Sequence, residues 1–124
     1  MIEVNVMNAK TKIQASKIAF SIAESLLVKT AIFGEDANWG RIIMAIGKAD
    51  VNLNPNKISI KLGNIQSIEN GKLLSSYKEN EAANYMKEEK IDLLISLNLG
   101  KKDFTSYTMD LTKKYIEINS DYRT

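Results

Sequence analysis

IDLLISLNLG, residues 91–100, is the longest apolar alternation in the chain, and it sets the expected fold. Every second residue is an isoleucine or a leucine: Ile91, Leu93, Ile95, Leu97 and Leu99. Because successive side chains of a strand point to opposite faces, this period of two predicts a β-strand with one buried face. Leu94 lies on the opposite face, so we expect this strand to be covered on both sides. Gly100 is expected to end it.

Outward from this strand, the sequence alternates between strand and helix patterns. The expected elements, in chain order, are a strand at 2–6, helices at 10–29 and 37–47, a strand at 58–62, a hairpin at 68–73, a helix at 79–90, strands at 91–99 and 104–111, and a short turn or helix at 110–118. The apolar stripe of the first helix is expected to include Leu26. Asn70–Gly71 suits a type I′ hairpin turn. The order β-α-α-β-β-α-β-β-α predicts an α+β fold, a layered sheet-and-helix domain spanning residues 1–124 as one unit.

The composition excludes several classes of protein. A net charge of +2, from 17 basic and 15 acidic residues, is too balanced to predict a nucleic-acid or acidic-membrane partner. The chain has no cysteine and no histidine, which removes thiolate nucleophiles, the Ser-His-Asp triad and most zinc sites, so no metal site is predicted. No apolar stretch is long enough to span a membrane, and no signal-peptide pattern is present. The sequence therefore predicts a cytoplasmic protein.

The stretch FGEDANWGR, residues 33–41, contains an acidic pair and one of the two arginines. Glu35 and Asp36 could form a catalytic dyad, but adjacent side chains seldom converge on one point. We interpret Asp36 instead as a helix N-cap that places Ala37 at the first helical position. Two roles stay open for Arg41, an anion site or a local salt bridge on the helix surface.

Two further patterns are superficially typical of catalysis. Gly100, Lys101 and Lys102 lack the glycine spacing and the terminal Lys-Ser/Thr pair of a phosphate-binding loop. The internal threonines have no evident base, and a threonine nucleophile is normally activated by a free N-terminal amine. We therefore predict no catalytic residue in this chain.

The chain ends in INSDYRT, residues 118–124, which is dense in hydrogen-bonding groups. Asn119 offers an amide donor and an acceptor, and Thr124 offers a hydroxyl and the terminal carboxylate. Such groups suit recognition of the ammonium and carboxylate of an amino acid. The alternative is that Asn119 and Asp121 form a turn and the remaining residues fray.

Three stretches resemble the ornithine acetyltransferase family, the bifunctional glutamate N-acetyltransferases of arginine biosynthesis. They are IEVNV (2–6), LVKTAIFGEDANWGRIIMAIG (27–47) and MDLTKKYIEINSDYRT (109–124), and the resemblance runs in order over the full chain. It implies that this domain is part of a larger α/β sandwich enzyme. Members of the family are precursors that cut themselves before a threonine. The new N-terminal threonine takes acetyl from N-acetylornithine and passes it to glutamate. Some members also use acetyl-CoA as a co-substrate, and no resident cofactor is implied.

The resemblance covers only about the C-terminal third of the family's precursor, within its β chain. The nucleophilic threonine, the oxyanion-stabilising pair and a substrate-binding lysine and glutamate lie upstream in the family and have no counterpart here. Asn119 and Thr124 match the family's C-terminal substrate-binding positions, so the resemblance implies that they bind substrate. The implied partners are the α chain and the N-terminal part of the β chain, with N-acetylornithine, ornithine and glutamate as small molecules. The complete enzyme is expected to be an oligomer.

The sequence departs from the family pattern at two places. The family usually has proline where Ala37 stands, and proline is favoured at the first position of a helix. Asn98 and Gly100 stand where the family tends to have two glycines. Asparagine tolerates positive φ better than most residues, so we expect the backbone bend to be kept.

Three hypotheses follow. The first is the C-terminal part of an acetyltransferase β chain, inactive when isolated because it lacks the nucleophile. The second is a free-standing amino-acid-binding or regulatory module without catalysis. The third is a remnant without a stable fold, whose severed strands would leave exposed sheet edges.

Overall fold

A computed structural model describes residues 1–109 of the chain. Its elements are β1 (Ile2–Ala9), α1 (Lys12–Glu24), α2 (Leu26–Phe33), α3 (Trp39–Gly47), a 3₁₀ turn (Pro55–Lys57), β2 (Ser59–Leu62), β3 (Ile65–Glu69), β4 (Lys72–Leu73), α4 (Glu79–Tyr85), β5 (Ile91–Ser96) and β6 (Lys102–Thr108). The six strands form one sheet in the order β4-β3-β2-β5-β1-β6. β1 and β5 are parallel, and all other neighbouring strands are antiparallel. The α+β fold is therefore confirmed, and the short turn or helix expected at 110–118 lies outside the described residues.

β5 lies inside the sheet, between β2 and β1, as its apolar alternation predicts. Ile91, Leu93, Ile95 and Leu97 are all buried in the main core. The alternating residues Ile2, Val4 and Val6 of β1 are buried on the same side, and Ile60 and Leu62 of β2 join them. The helix α1 packs over β1 and β6 on this side and contributes its own buried stripe: Ala15, Ile18, Ala19, Ile22 and Ala23. The described residues cover only this one side of β5, and Leu94 on the other side is half-buried.

The helix predicted over residues 10–29 is wrong in its length, because the structure divides it at Ser25. Ser25 has an extended backbone conformation, with φ −70° and ψ 114°, and its hydroxyl accepts a hydrogen bond from the Val28 backbone amide at 3.2 Å. It thereby ends α1 and caps α2, as a short hydroxyl side chain commonly does at a helix start. The break turns Leu26 outward, so that it is 62% exposed and does not belong to the buried stripe.

The cap predicted for α3 is also wrong by two residues. Asn38, not Asp36, is the N-cap, and its side-chain oxygen accepts from the Arg41 amide at 3.2 Å. The Asp36 amide instead donates to the Ala31 carbonyl at 2.8 Å, which closes the end of α2. Ala37 therefore precedes the cap, where it is buried, rather than opening the helix. Trp39 opens the helix and packs edge-on against Tyr77, with ring centroids 5.4 Å apart.

Two predicted backbone bends are confirmed. Asn70 and Gly71 both have positive φ, 50° and 77°, in the two-residue turn that joins β3 to β4. Asn98 has φ 53° just after β5. Gly100 does not end β5, which stops at Ser96 rather than at Leu99. It serves a different purpose, because a Cβ there would lie 2.6 Å from the Ala9 carbonyl oxygen. The chain thus needs glycine at that position for a close backbone approach.

The later elements are shorter than predicted. α4 ends at Tyr85 rather than at Lys90, although its inward residues Ala82 and Met86 are buried as expected. β6 covers 102–108 instead of 104–111. Within residues 1–109, no helix is long and apolar enough to cross a membrane.

Candidate functional site

The face of the sheet opposite α1, here called the open face, carries most of the polar side chains of the strands. Each of these residues alternates with a core residue of the same strand, so the pleat alone places them there. The open face comprises Glu3, Asn5 and Met7 of β1, Ser59 and Lys61 of β2, Gln66 of β3, Asp92, Leu94 and Ser96 of β5, and Thr105 and Tyr107 of β6.

Glu3, Lys90, Asp92 and Tyr107 form a charged group at one end of the open face, the Glu3 cluster. Glu3 and Asp92 lie directly opposite each other on β1 and β5. Like charges in such a pair are destabilising. The Lys90 ammonium reduces the repulsion, because its Nζ lies 3.7 Å from a Glu3 oxygen and 3.5 Å from an Asp92 oxygen.

The ionisation of the Glu3 cluster reflects these contacts. The hydrogen bond from the Asn5 side chain holds the pKa of the Glu3 carboxyl below its ordinary value, with help from Tyr107 and Lys90 and against partial desolvation. Asp92 and then Glu3 raise the pKa of the Lys90 ammonium by their negative charge. The bond to Glu3 raises the pKa of the Tyr107 hydroxyl. With Glu3 ionised at neutral pH, this carboxylate can accept hydrogen bonds or attract a cation but holds no proton to donate.

A short hydrogen-bond chain connects the Glu3 cluster to the edge strand β6. The Thr105 hydroxyl donates to the Asn5 side-chain oxygen at 2.7 Å, and the Asn5 amide donates to a Glu3 oxygen at 3.1 Å. This chain fixes the Asn5 amide in one orientation, since its oxygen accepts from one neighbour and its nitrogen donates to the other.

The opposite end of the open face, where β1 and β5 terminate, has a second polar network. Asn8 and Asn98 both have positive φ, 58° and 53°. The Asn8 side chain donates to the Ser96 hydroxyl at 2.8 Å, and that hydroxyl donates to the Asn98 oxygen at 2.9 Å. Asn98 in turn donates to the Lys57 carbonyl at 2.7 Å. The network borders a shallow hollow of about 490 Å³ that also contains Lys61.

The predicted substrate-binding residues Asn119 and Thr124 lie outside the described residues. The residues that lead towards them are described as far as Thr108, at the end of β6, and Met109. Thr108 at the end of β6 pairs with Ile2 at the start of β1, so Met109 leaves the sheet at the end where the Glu3 cluster lies. The Met1 ammonium is at this end too, donating to the Glu89 carbonyl at 2.9 Å.

The other candidates from the sequence have structural roles. Asp36 accepts a hydrogen bond from the Asn38 side chain at 3.3 Å, while Glu35 follows the end of α2 with φ 57°. Arg41 forms no salt bridge with an acidic residue in the part of the chain that the structure describes. Its guanidinium donates to the Leu27 carbonyl at 3.0 Å and to the Thr30 hydroxyl at 3.3 Å, which joins α3 to α2.

The described residues contain no group of three acidic, histidine or cysteine side chains that could hold a metal ion. We did not predict the Glu3 cluster from the sequence. The available signal was the second face of the strongest strand, where Asp92, Leu94 and Ser96 alternate with the core residues. What the sequence could not supply was the register that brings Glu3 opposite Asp92.

Comparison with known proteins covers the whole chain. Residues 1–124 match the model of the ArgJ family. The arginine biosynthesis bifunctional protein ArgJ of Brucella melitensis is 46% identical over 123 residues, which make up 99% of this chain and 30% of that protein. The protein of the same name from Bradyrhizobium diazoefficiens is 48% identical over the same shares of the two chains.

A solved structure agrees with these sequence matches. The crystal structure of the arginine biosynthesis bifunctional protein argJ from Bacillus halodurans aligns with a TM-score of 0.87 and 38% identity. The alignment covers 98% of this chain and 57% of that one. The chain therefore spans about three-tenths of the length of the curated relatives that it matches. The resemblance noted in the three sequence stretches is confirmed, and the chain belongs to the ArgJ family.

Proposed function

We propose that this chain is the C-terminal part of a glutamate N-acetyltransferase that moves an acetyl group from N-acetylornithine to glutamate. The observation that carries the proposal is the identity of 46–48% over 99% of the chain to proteins named for a bifunctional role in arginine biosynthesis. In this proposal the chain contributes to substrate binding. The nucleophile comes from the part of the enzyme that precedes the matched segment.

The proposed chemistry is acyl transfer through an ester. The threonine oxygen of the other segment attacks the acetyl carbonyl of N-acetylornithine, the C–N bond breaks, and ornithine leaves with the proton on its amine. The amine of glutamate then attacks the acetyl-threonine ester and regenerates the hydroxyl. Acetyl-CoA can replace N-acetylornithine in the first step in some members of the family. Neither step requires a cysteine, a histidine or a metal ion, which is compatible with this composition.

We assign substrate binding to Asn119 and Thr124. The amide of Asn119 and the hydroxyl of Thr124 both donate and accept, so together they can hydrogen-bond the ammonium and the carboxylate of an amino acid. The direction of β6 supports this assignment. Its last residues run towards the start of β1, so the tail begins next to the Glu3 cluster and near the Met1 ammonium. Residues that precede position 1 in a relative would enter at this same end of the sheet.

A chimeric enzyme tests the proposal. The matching C-terminal segment of the Brucella melitensis relative is replaced by this chain, and transfer of acetyl from N-acetylornithine to glutamate is measured. We expect activity from the chimera and none from the isolated 124-residue chain, because the acetyl-accepting threonine is supplied by the relative. Turnover by the isolated chain would contradict the proposal. So would an inactive chimera that is folded and correctly cleaved.

The two binding residues are tested in the same chimera. Asn119→Ala and deletion of Thr124 are expected to raise the KM for N-acetylornithine at least about tenfold, since each removes one charge-assisted or amide hydrogen bond. Asn84→Ala is the matched control, because Asn84 is an exposed asparagine of α4 that is not among the residues of the open face. Equal KM values for all three variants would exclude these two residues from the site.

The second candidate function, an amino-acid-binding module without catalysis, is supported by one observation. Residues 1–109 bury a continuous apolar core without any other segment. Calorimetry of the isolated chain with ornithine, glutamate and their N-acetyl forms separates the two proposals. Binding by the isolated chain together with an inactive chimera would favour the module.

A further inference from the structure

Asn70 and Gly71 form the only Asn-Gly pair of the chain. They occupy the two-residue turn between β3 and β4, with φ 50° and 77°. Asparagine is one of the chemically labile residues, and it is most reactive before glycine, which has no Cβ to hinder the following backbone nitrogen. In this pair that nitrogen can attack the carbonyl carbon of the Asn70 side chain. The turn therefore contains both reacting groups of a deamidation.

The reaction proceeds in two steps and needs only water. The Gly71 nitrogen loses its proton and forms a bond to the Asn70 Cγ, the bond from Cγ to the side-chain nitrogen breaks, and ammonia leaves with that proton. The product is a succinimide ring. Water then adds to one of the two ring carbonyl carbons and breaks the bond from that carbon to the ring nitrogen, which gives either aspartate or isoaspartate. The first step requires a Gly71 nitrogen that is free to give up its proton and to approach Cγ.

The folded chain restrains this nitrogen. The Gly71 N–H donates to the Ile58 carbonyl at 2.9 Å. The backbone before Ile58 lies against the turn, since a Cβ on Gly71 would be 2.5 Å from the Pro55 carbonyl oxygen and 3.0 Å from the Asn56 Cα. A hydrogen-bonded amide holds its proton, and the close backbone leaves the nitrogen little room to move towards the side chain. These contacts of Gly71 with residues 55–58 are here called the Gly71 contact.

Two asparagine side chains hold the segment that makes the Gly71 contact. At the start of the 3₁₀ turn, the Asn54 side chain accepts a hydrogen bond from the Asn56 amide at 3.0 Å. The Asn98 side chain donates to the Lys57 carbonyl at 2.7 Å. Loss of either bond should loosen the 3₁₀ turn without altering the Asn-Gly pair itself.

β4 is the element whose opening can release Gly71. It has only two residues, Lys72 and Leu73, and both are exposed. Among the strands of residues 1–109 it pairs with β3 alone. Elements with few buried contacts open locally at a lower free energy than the whole chain unfolds. The turn can therefore separate from the 3₁₀ turn while the core stays folded.

We propose that Asn70 is a deamidation site that the Gly71 contact protects in the folded chain and that local opening of β4 releases for reaction. The aspartate product suits the turn, because Asp-Gly is also favoured there. Isoaspartate adds a carbon atom to the backbone and should disrupt the pairing of Glu69 with Lys72. Either product adds a negative charge next to Glu69. Deamidation here involves only the turn, its backbone contacts and water, so it does not depend on the proposed acetyl transfer.

Peptide mapping by mass spectrometry tests the proposal on the 124-residue chain, incubated at mildly alkaline pH. Trypsin cuts after lysine, so residues 62–72 form one peptide that contains Asn70 and, as an internal control, Asn64 before the β-branched Ile65. We expect Asn70 to deamidate at least about tenfold more slowly in the folded chain than in guanidinium chloride, because only the open fraction reacts. In the unfolded chain Asn64 should react far more slowly than Asn70. Equal rates for Asn70 in the folded and unfolded chain would overturn the protection, and an unreactive Asn70 in the unfolded chain would overturn the site.

Variants of the two anchoring asparagines test the Gly71 contact. Asn54→Ala and Asn98→Gly are each expected to raise the deamidation rate of the folded chain about fivefold, since each removes a hydrogen bond from the segment that holds Gly71. Glycine at position 98 keeps the positive φ found there. Asn52→Ala is the matched control, because Asn52 is exposed and bonds to Gln14 through its backbone carbonyl rather than its side chain. Rates in both variants equal to that of Asn52→Ala would overturn the role of the Gly71 contact.

A core variant and dilute denaturant distinguish local opening from unfolding of the whole chain. Ile95→Val weakens the buried core away from the turn, and it should leave the deamidation rate of Asn70 unchanged. Guanidinium chloride below the unfolding transition should also have little effect on the rate, because opening of β4 exposes little surface. A rate that rises in Ile95→Val in proportion to its loss of stability would overturn local opening as the route to reaction.

Discussion

The two faces of the sheet are made by alternate residues of the same strands, yet they are held together by different forces. On the side of α1, Val4 and Ile95 are fully buried among apolar neighbours. On the open face the adjacent residues Glu3 and Leu94 are only half-buried, and the polar groups bond to one another. Burial therefore specifies the fold on one side of the sheet, whereas the other side is left free to carry charged and hydrogen-bonding groups. Changes on the two faces should therefore differ in size and in their dependence on pH.

The largest expected loss of stability follows from creating a cavity on the covered face, the side of the sheet on which α1 packs. Ile95→Ala should lower the free energy of unfolding by about 3 kcal/mol, because it removes buried methyl groups from a close-packed strand interior. Leu94→Ala, one residue along on the open face, should cost about 1 kcal/mol or less. Urea denaturation of both variants measures the difference. Equal losses would mean that the open face is as well packed as the core.

A smaller change, this time a gain in the free energy of unfolding, is expected beside a small apolar cavity on the covered face. Ala37 borders a small apolar cavity together with Val28, Ile42 and Leu62. Its amide makes no hydrogen bond within the described residues. Ala37→Pro should raise the free energy of unfolding by about 0.4–1 kcal/mol, because proline restricts the unfolded chain and adds apolar atoms beside the cavity.

Ala45→Pro is the matched control for that stabilisation. Ala45 lies inside α3, where proline removes a helical hydrogen bond and should cost about 3 kcal/mol or more. Thermal melting of both variants gives the sign of each change. A loss of stability in Ala37→Pro would show that residue 37 cannot adopt the proline conformation.

The smallest expected effect lies on the open face and depends on pH. The pKa of Glu3 is lowered in the folded chain, so the contribution of its carboxylate is present above the ordinary value of 4.5 and is lost as the pH falls through the folded pKa. Glu3→Gln should therefore be less stable than the unmodified chain at pH 7, and the difference should disappear as the pH falls through the folded pKa of Glu3. Urea midpoints across this range measure the change. A difference that stays constant with pH would contradict the prediction.

Removing the main cause of the lowered pKa provides a second check at this site. The Asn5 side chain is the largest contributor, so Asn5→Ala should raise the pKa of the Glu3 carboxyl towards its ordinary value. Carboxyl titration by NMR measures it directly. Ile95→Val, on the covered face, should leave the Glu3 titration unchanged.

The parts of the fold that could be predicted from sequence are those fixed by local chemistry. The apolar alternation of β5 predicts a strand inside the sheet because few other structures bury every second residue. Asn70–Gly71 predicts its turn because both positions require positive φ. Asn98 was predicted in the same way, because asparagine tolerates positive φ, and its φ is 53°.

The errors arose where two residues could perform one task. Asp36 and Asn38 are both good helix caps, and the choice of Asn38 depends on Asp36 closing α2 through Ala31. Ser25 likewise can sit inside a helix or cap one, and packing of the helices on the sheet decides between these roles. Of the candidate site, Asn119 and Thr124 follow from the resemblance. The Glu3 cluster requires a cross-strand register that no local pattern contains.

Trp39 is the only tryptophan of the chain, and its position has an experimental consequence. Its indole lies half-buried at the start of α3, edge-on to Tyr77 in the segment that leads to α4. Intrinsic tryptophan fluorescence therefore measures the surroundings of one known side chain, at the contact between α3 and the segment that leads to α4. The protein carries its own optical probe, so separation of these two parts can be followed without any added label.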